Sequence, residues 1–71
     1  MCKLKKRIED ALFEARPYLE YFDELREKIE ELEKKATDAE AFLLLLNEEI
    51  EAAKEPFKTD LRIFLQKFEG I

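Results

Sequence analysis

The sequence predicts an all-α protein, an antiparallel helical hairpin or bundle with three to four helical segments. Its most abundant residues include Glu, Lys, Leu and Ala, which are strong helix formers. Residues that break helices are scarce, since glycine occurs only at Gly70 and proline only at Pro17 and Pro56. A chain of 71 residues is short enough to be one domain. We expect a single helical domain over 1–71 with kinks or breaks at both prolines and helical segments at about 3–16, 17–35, 38–55 and 59–69.

Two heptad series of mostly apolar residues run through the first half of the chain. They are Ile8, Ala15, Phe22, Ile29, Ala36 and Leu4, Ala11, Tyr18, Leu25, Leu32. This spacing is typical of a coiled-coil seam, and it passes Pro17 without losing phase. We therefore expect a helix that is kinked near Pro17, with a full chain reversal there as the alternative. Tyr18 and Phe22 lie on the seam and are expected in the core.

A helix start is predicted near the middle of the chain, at Thr37-Asp38-Ala39-Glu40. This pattern is a capping box, in which the Thr37 side chain accepts from a backbone N–H and Glu40 reaches back. One helix should end near Ala36 and the next should start at Asp38. So short a connection normally joins antiparallel neighbours.

The second half carries its own seam, with a shift in spacing near Pro56. The seam consists of Ala39, Leu43, Leu46, Ile50, Ala53, Phe57, and then Leu61, Phe64, Phe68. A break is expected around 55–58, with Thr59 as the N-cap of a short last helix from about Asp60 to Phe68. Gly70 suits its end.

The four leucines at 43–46 raise the question of what covers them. Successive helical residues turn by about 100°, so the run extends almost around the helix, while one neighbouring helix covers one stripe. Either two hairpins associate into a four-helix bundle, or the chain folds back at both prolines and flanks the leucines itself. Association is the favoured arrangement. Six residues away from the seams are candidates for an interface: Phe13, Tyr21, Phe42, Leu44, Leu45 and Leu65.

Composition argues against most enzymatic chemistry. Histidine and serine are absent and cysteine occurs once, so the usual zinc, haem and serine-nucleophile sites are not expected. No glycine-rich phosphate loop occurs. Paired acids such as Glu30 and Glu31 fit solvated helix faces. We expect no enzyme, no catalytic or metal site and no cofactor.

Charge and hydropathy limit the kinds of binding partner that we expect. The net charge of −5 is too acidic for a general nucleic-acid binder. The longest apolar run, 41–46, is too short for a membrane span, and no targeting signal is apparent, so a cytoplasmic or recombinant soluble protein is expected. Cys2 is the only cysteine and has no partner for an internal disulfide.

The stretch ELREKIEELEKKATDAEAF, together with the absence of Ser, Val, His and Trp, resembles computationally designed helical-bundle proteins. The resemblance implies a purpose in folding, assembly or binding. Both prolines and the Phe-rich tail depart from idealised design, so a natural protein is the alternative origin. The expected function is that of a non-enzymatic helical assembly module, whose partner is itself in a homo-oligomer. The alternative is a small helical binder or regulatory adaptor whose Phe/Tyr/Leu face binds a partner protein helix.

Overall fold

Four helices make up the protein in the computed structural model, which describes residues 3–70. No strand occurs among these residues, and the predicted all-α class is confirmed. Cys2 lies outside the described residues. The helices are α1 (Lys3–Ala15), α2 (Phe22–Lys35), α3 (Ala39–Ala52) and α4 (Phe57–Gly70).

The first break lies at Pro17, in a single 3-10 turn over Arg16–Tyr18. Proline has no backbone N–H to donate and its ring clashes with the preceding turn, so the α-helix ends before it. The backbone is then extended at Leu19, and α2 begins three residues later. The expectation of one kinked helix through this region is therefore wrong, because α1 and α2 are separate helices.

The helices run alternately up and down. α1 is antiparallel to α4, since Arg7 near the start of α1 contacts Phe68 near the end of α4. α3 is also antiparallel to α4, because Phe42 in its first turn meets the same Phe68 ring. α2 packs against α3 and α4. α1 packs mainly against α4 and makes little contact with α2 or α3.

The central turn is capped one residue later than predicted. Asp38, in extended backbone conformation, is the N-cap of α3, and its carboxylate accepts from the Ala41 N–H at 2.9 Å. The prediction of Thr37 as the cap is wrong, because α3 starts only at Ala39. The preceding helix, α2, ends at Lys35.

The second break separates α3 from α4 at 53–56. α4 starts at Phe57, so Thr59 lies inside its first turn and is not its N-cap. The Glu55 carboxylate instead accepts from the Thr59 N–H at 3.0 Å and from the Thr59 hydroxyl at 2.6 Å. This contact fixes the start of α4 from the residue before the proline.

All four helices contribute to one hydrophobic core. Its centre is an aromatic cluster of Phe42, Phe64 and Phe68, with ring centroids 5.2–6.3 Å apart. Most heptad positions of the first half are buried, but Tyr18 is 62% exposed. The prediction of a core Tyr18 is wrong because the 3-10 turn takes this residue out of the helical phase.

The chain itself covers most of the four-leucine run. Leu46 is fully buried, and Leu43 and Leu45 are half-buried against the core. Leu44 alone faces solvent, with 64% of its surface exposed. The folded-back arrangement, the less favoured of the two, is therefore the one that the chain adopts.

Candidate functional site

The six interface candidates fall into three groups in the structure. Phe13, Leu44 and Tyr21 are exposed, by 75%, 64% and 41% respectively. Leu45 and Leu65 are half-buried and pack against the core. Phe42 is fully buried in the aromatic cluster. It belongs to the core because α4 covers the side of α3 that a simple hairpin would leave open.

The two most exposed candidates lie on different sides of the molecule. Phe13 is on α1 and Leu44 is on α3, and these two helices make little contact with each other. They therefore do not form a single apolar patch. Leu44 stands alone, as scattered surface leucines often do. Phe13 has a more distinctive setting.

Phe13 borders an open groove between α1 and α2, which we call the α1–α2 groove. Its apolar residues are Ile8 and Leu12, both buried, the half-buried Phe22, and Phe13 itself. The groove has a volume of about 590 Å³. Its rim consists of Lys5, Glu9, Arg16, Arg26, Glu30, Glu33 and Lys34. The groove exists because α1 packs on α4 and leaves its α2 side open.

The charged rim does not close the groove. Among the residues that the structure describes, no ion pair or side-chain hydrogen bond joins α1 to α2. Arg26 pairs within α2, with Glu30 at 3.3 Å. The Arg16 guanidinium lies 5.2 Å from the centroid of the Phe22 ring, a cation–π contact at one end of the groove. Among the described residues, the other rim side chains, Arg16 included, form no ion pair, so their charges are available to an occupant.

A buried carboxylate fixes the connection that precedes α2. Asp60, only 3% exposed, accepts from the Tyr21 N–H at 2.8 Å and from the Glu20 N–H at 3.2 and 3.3 Å. We call this arrangement the Asp60 clamp. No side chain of the connection caps α2, so Asp60 satisfies amides there and places negative charge near the positive end of that helix. It thereby sets where α2 starts relative to α4.

Two cations attach the first part of the chain to α4. The Arg7 guanidinium lies 4.3 Å from the centroid of the Phe68 ring and donates to the Phe68 carbonyl at 3.3 Å. The Lys67 ammonium lies 4.9 Å from the Tyr18 ring centroid. The Arg7 contact fixes one end of α1 on α4, and the Lys67 contact fixes the 3-10 turn. The outward face of α1 therefore has a defined orientation.

Among residues 3–70, two ionisable groups have shifted pKa values, and both lie outside the groove. The pKa of Lys28 is raised, chiefly by its hydrogen bond to Glu31 and then by the charge of Glu49 at 3.6 Å. The pKa of Glu55 is lowered, chiefly by the hydrogen bond from the Thr59 hydroxyl. Both shifts follow from pairing at helix surfaces and helix starts.

Residues 3–70 contain no group of three or more His, Cys, Asp or Glu side chains that could hold a metal ion. None of the described helices is both long and apolar enough to cross a membrane.

Sequence reasoning missed two features of this region. The first is the Asp60 clamp, although the sequence carries a signal for it. Asp60, Phe64 and Phe68 follow each other at intervals of four, so a carboxylate lies on the apolar stripe of α4. The second is the α1–α2 groove, which depends on α1 packing against α4. Heptad spacing carries no information on that choice of neighbour.

The fold and the groove define a small up-down four-helix protein with one incompletely closed helix pair and an exposed aromatic side chain beside it. The sequence model of the MJ1579 family matches residues 5–71. The chain belongs to this family. The interpretation as a designed protein is therefore wrong, because that resemblance rested on composition, which natural helical proteins share. Comparisons with curated proteins and with solved structures returned no significant match.

Proposed function

We propose that this protein is a non-enzymatic interaction module, and that its working surface is Phe13 together with the α1–α2 groove. The observation that carries the proposal is the 75% exposure of Phe13 beside buried Ile8 and Leu12. Leaving a phenylalanine in water forgoes about 2 kcal/mol of burial free energy. An aromatic side chain next to an open apolar groove is typical of the centre of a protein–protein interface.

The α1–α2 groove lies where a closed helical bundle would have a further contact between helices. In a closed four-helix bundle, each helix packs against two neighbours around the core. Here α1 packs mainly on α4, so its other side is free for a helix from outside. An amphipathic helix carries an apolar stripe at positions i, i+3, i+4 and i+7, and such a stripe would pack on the apolar residues of the groove. The polar flanks of the same helix would face the charged rim.

The absence of catalytic activity is part of the proposal. Asp60, the acid that is buried in the described part of the chain, is engaged by two backbone amides, which suits a structural role. The rim acids Glu9, Glu30 and Glu33 line an open surface groove from which water is not excluded. General acid–base chemistry depends on groups whose pKa values are displaced by burial or close charge, and open grooves rarely provide this.

A map of amide chemical shifts tests the working surface. Spectra of the ¹⁵N-labelled protein are recorded at rising protein concentration, and at fixed concentration with an added amphipathic helical peptide. We expect shifts at Ile8, Leu12 and Phe22 in at least one series, and their loss in Phe13→Glu. Leu44→Glu is the matched control and should leave them unchanged. Shifts centred on Leu44, or none in either series, would contradict the proposal.

A further inference from the structure

We infer that the occupant of the α1–α2 groove is a second copy of this chain, with the two α1 helices antiparallel across a two-fold axis between Leu12 and Phe13. This inference rests on the proposed function, and it adds the identity and orientation of the partner. Two-fold dimers are the commonest soluble assemblies, and their interfaces are self-complementary. Three observations about α1 support this arrangement.

The first observation is the order of charges along α1 and at the start of the 3-10 turn that follows it. Glu9 in α1 and Arg16, the first residue of the turn, carry opposite charges, lie seven residues apart and both line the groove. The backbone is still helical at Ala15, and seven residues are two helical turns, so the two side chains project on the same side. In an antiparallel pair centred between positions 12 and 13, residue i faces residue 25 − i of the other copy. Each Glu9 then faces an Arg16 of the second copy.

The second observation is what lies at that centre. The midpoint between Glu9 and Arg16 falls between Leu12 and Phe13, where the exposed aromatic ring borders the buried leucine. The axis therefore brings each Phe13 to the Leu12 edge of the opposite groove. Each copy supplies the same ring and the same groove, as an isologous contact requires. The apolar centre is flanked on both sides by complementary charges, a common interface arrangement.

The third observation is the electrostatics of α1 itself. Its first turn carries lysines and no acid, and its last turn carries no base, which is the reverse of the pattern that stabilises a helix dipole. In the antiparallel pair, Lys5 lies near the negative C-terminal end of the second copy's α1. The charges that disfavour α1 alone therefore favour the pair.

The size of the molecule is sufficient for such a contact. It measures 32 × 24 × 19 Å, so its largest face has an area close to the roughly 800 Å² per partner that a standard interface buries. Leu44 on α3 lies away from the α1–α2 groove, because α1 and α3 make little contact. It therefore serves as a control position.

Charge exchange tests the inference through the dimer dissociation constant, measured by sedimentation equilibrium with reductant present. We expect Glu9→Arg and Arg16→Glu each to raise the constant by about tenfold, since each change replaces two ion pairs by two repulsive pairs. The double variant should return to within about threefold of the wild type. Glu48→Arg, the same charge change on α3, should leave the constant unchanged.

A mixing experiment tests the same pairing by complementation between the two single variants. A mixture of Glu9→Arg chains and Arg16→Glu chains should form a heterodimer more tightly than either chain pairs with itself, because both contacts are complementary in the mixed pair. Tenfold weakening in the single variants with rescue in the double variant and in the mixture supports the antiparallel pair.

Failure of the inference is distinguishable from failure of the proposed function. A dimer that Phe13→Glu disrupts but charge exchange does not affect would overturn the antiparallel register and leave the working surface in place. A monomer whose groove amides shift with the helical peptide would overturn the second copy as occupant. A monomer whose groove amide signals shift neither with protein concentration nor with the peptide would overturn both the inference and the proposed function.

Discussion

Replacing Asp60 by alanine tests whether the buried carboxylate organises the chain reversal. Asp60 accepts from the amides of Glu20 and Tyr21, and both lie in the connection between α1 and α2. Alanine leaves these amides without a partner in a partly buried place. We expect the connection to loosen, and α2 to lose the group that fixes its start on α4.

The magnitude follows from the number and kind of hydrogen bonds lost. A hydrogen bond to a charged group contributes about 1.5–3 kcal/mol, and two backbone amides lose their acceptor in the variant. Because these amides are only partly buried, hydrogen bonds to water offset part of the loss. Asp60→Ala should therefore lower the free energy of unfolding by about 3 kcal/mol. A 71-residue chain has about 4–10 kcal/mol in total. The corresponding fall in Tm is about 12–24 °C.

Thermal and urea unfolding followed by circular dichroism measure this effect. Asp60→Asn keeps a side-chain carbonyl oxygen and loses the charge, so it should cost about half as much. Glu27→Ala, which removes an exposed acid, should change the free energy of unfolding by less than about 0.5 kcal/mol. Hydrogen exchange at the Tyr21 amide should accelerate in Asp60→Ala. Equal stability of Asp60→Ala and Glu27→Ala would refute the clamp.

Three further predictions concern the core, a helix cap and a pH-dependent contact. Phe42→Leu should lower the free energy of unfolding by about 1–2 kcal/mol, whereas Leu44→Ala should lower it by less than about 0.5 kcal/mol. Urea unfolding measures both changes, and equal values would contradict the assignment of Phe42 to the core. Asp38→Ala should cost about 1 kcal/mol, because Ala41 loses its capping acceptor; a Tm equal to that of wild type would show that the bond contributes nothing. The pKa of Glu55 is lowered in the folded protein from its ordinary value of 4.5, so the Glu55 contact stabilises the fold at pH values above 4.5. This stabilisation is lost as the pH falls through the folded-state pKa. The Tm difference between wild type and Glu55→Gln should therefore shrink from about pH 7 to about pH 2, and a constant difference would exclude this linkage.

Local features of the sequence predicted much of the fold. Helix-forming composition and the two prolines gave the helical class and the positions of both breaks. The capping signal in the central turn was off by one residue, because Thr37 and Asp38 are both good N-caps and only the start of α3 decides between them. The heptads identified most buried positions of α1 and α2, because a helix buries the same stripe whichever neighbour covers it.

The sequence pattern does not determine which helices pack against each other. A regular heptad through Pro17 fits a long kinked helix and two separate helices equally well, and only the packing of α1 on α4 distinguishes them. Phe42 lies away from the second seam and is therefore an interface candidate by its spacing, and only the packing of α4 against α3 buries it. For the candidate site, Phe13 was identified from its position away from the seam, whereas the α1–α2 groove beside it depends on tertiary packing.

The mean solution mass across a concentration series, with reductant present so that Cys2 forms no crosslink, tests the central claim most directly. We expect the wild-type protein to pass from monomer to dimer as concentration rises, and the Phe13→Glu variant to stay monomeric with its helicity intact. A wild type that remains monomeric at every concentration, or a dimer that Phe13→Glu leaves unchanged, would contradict the claim that α1 pairs through Phe13 and the α1–α2 groove.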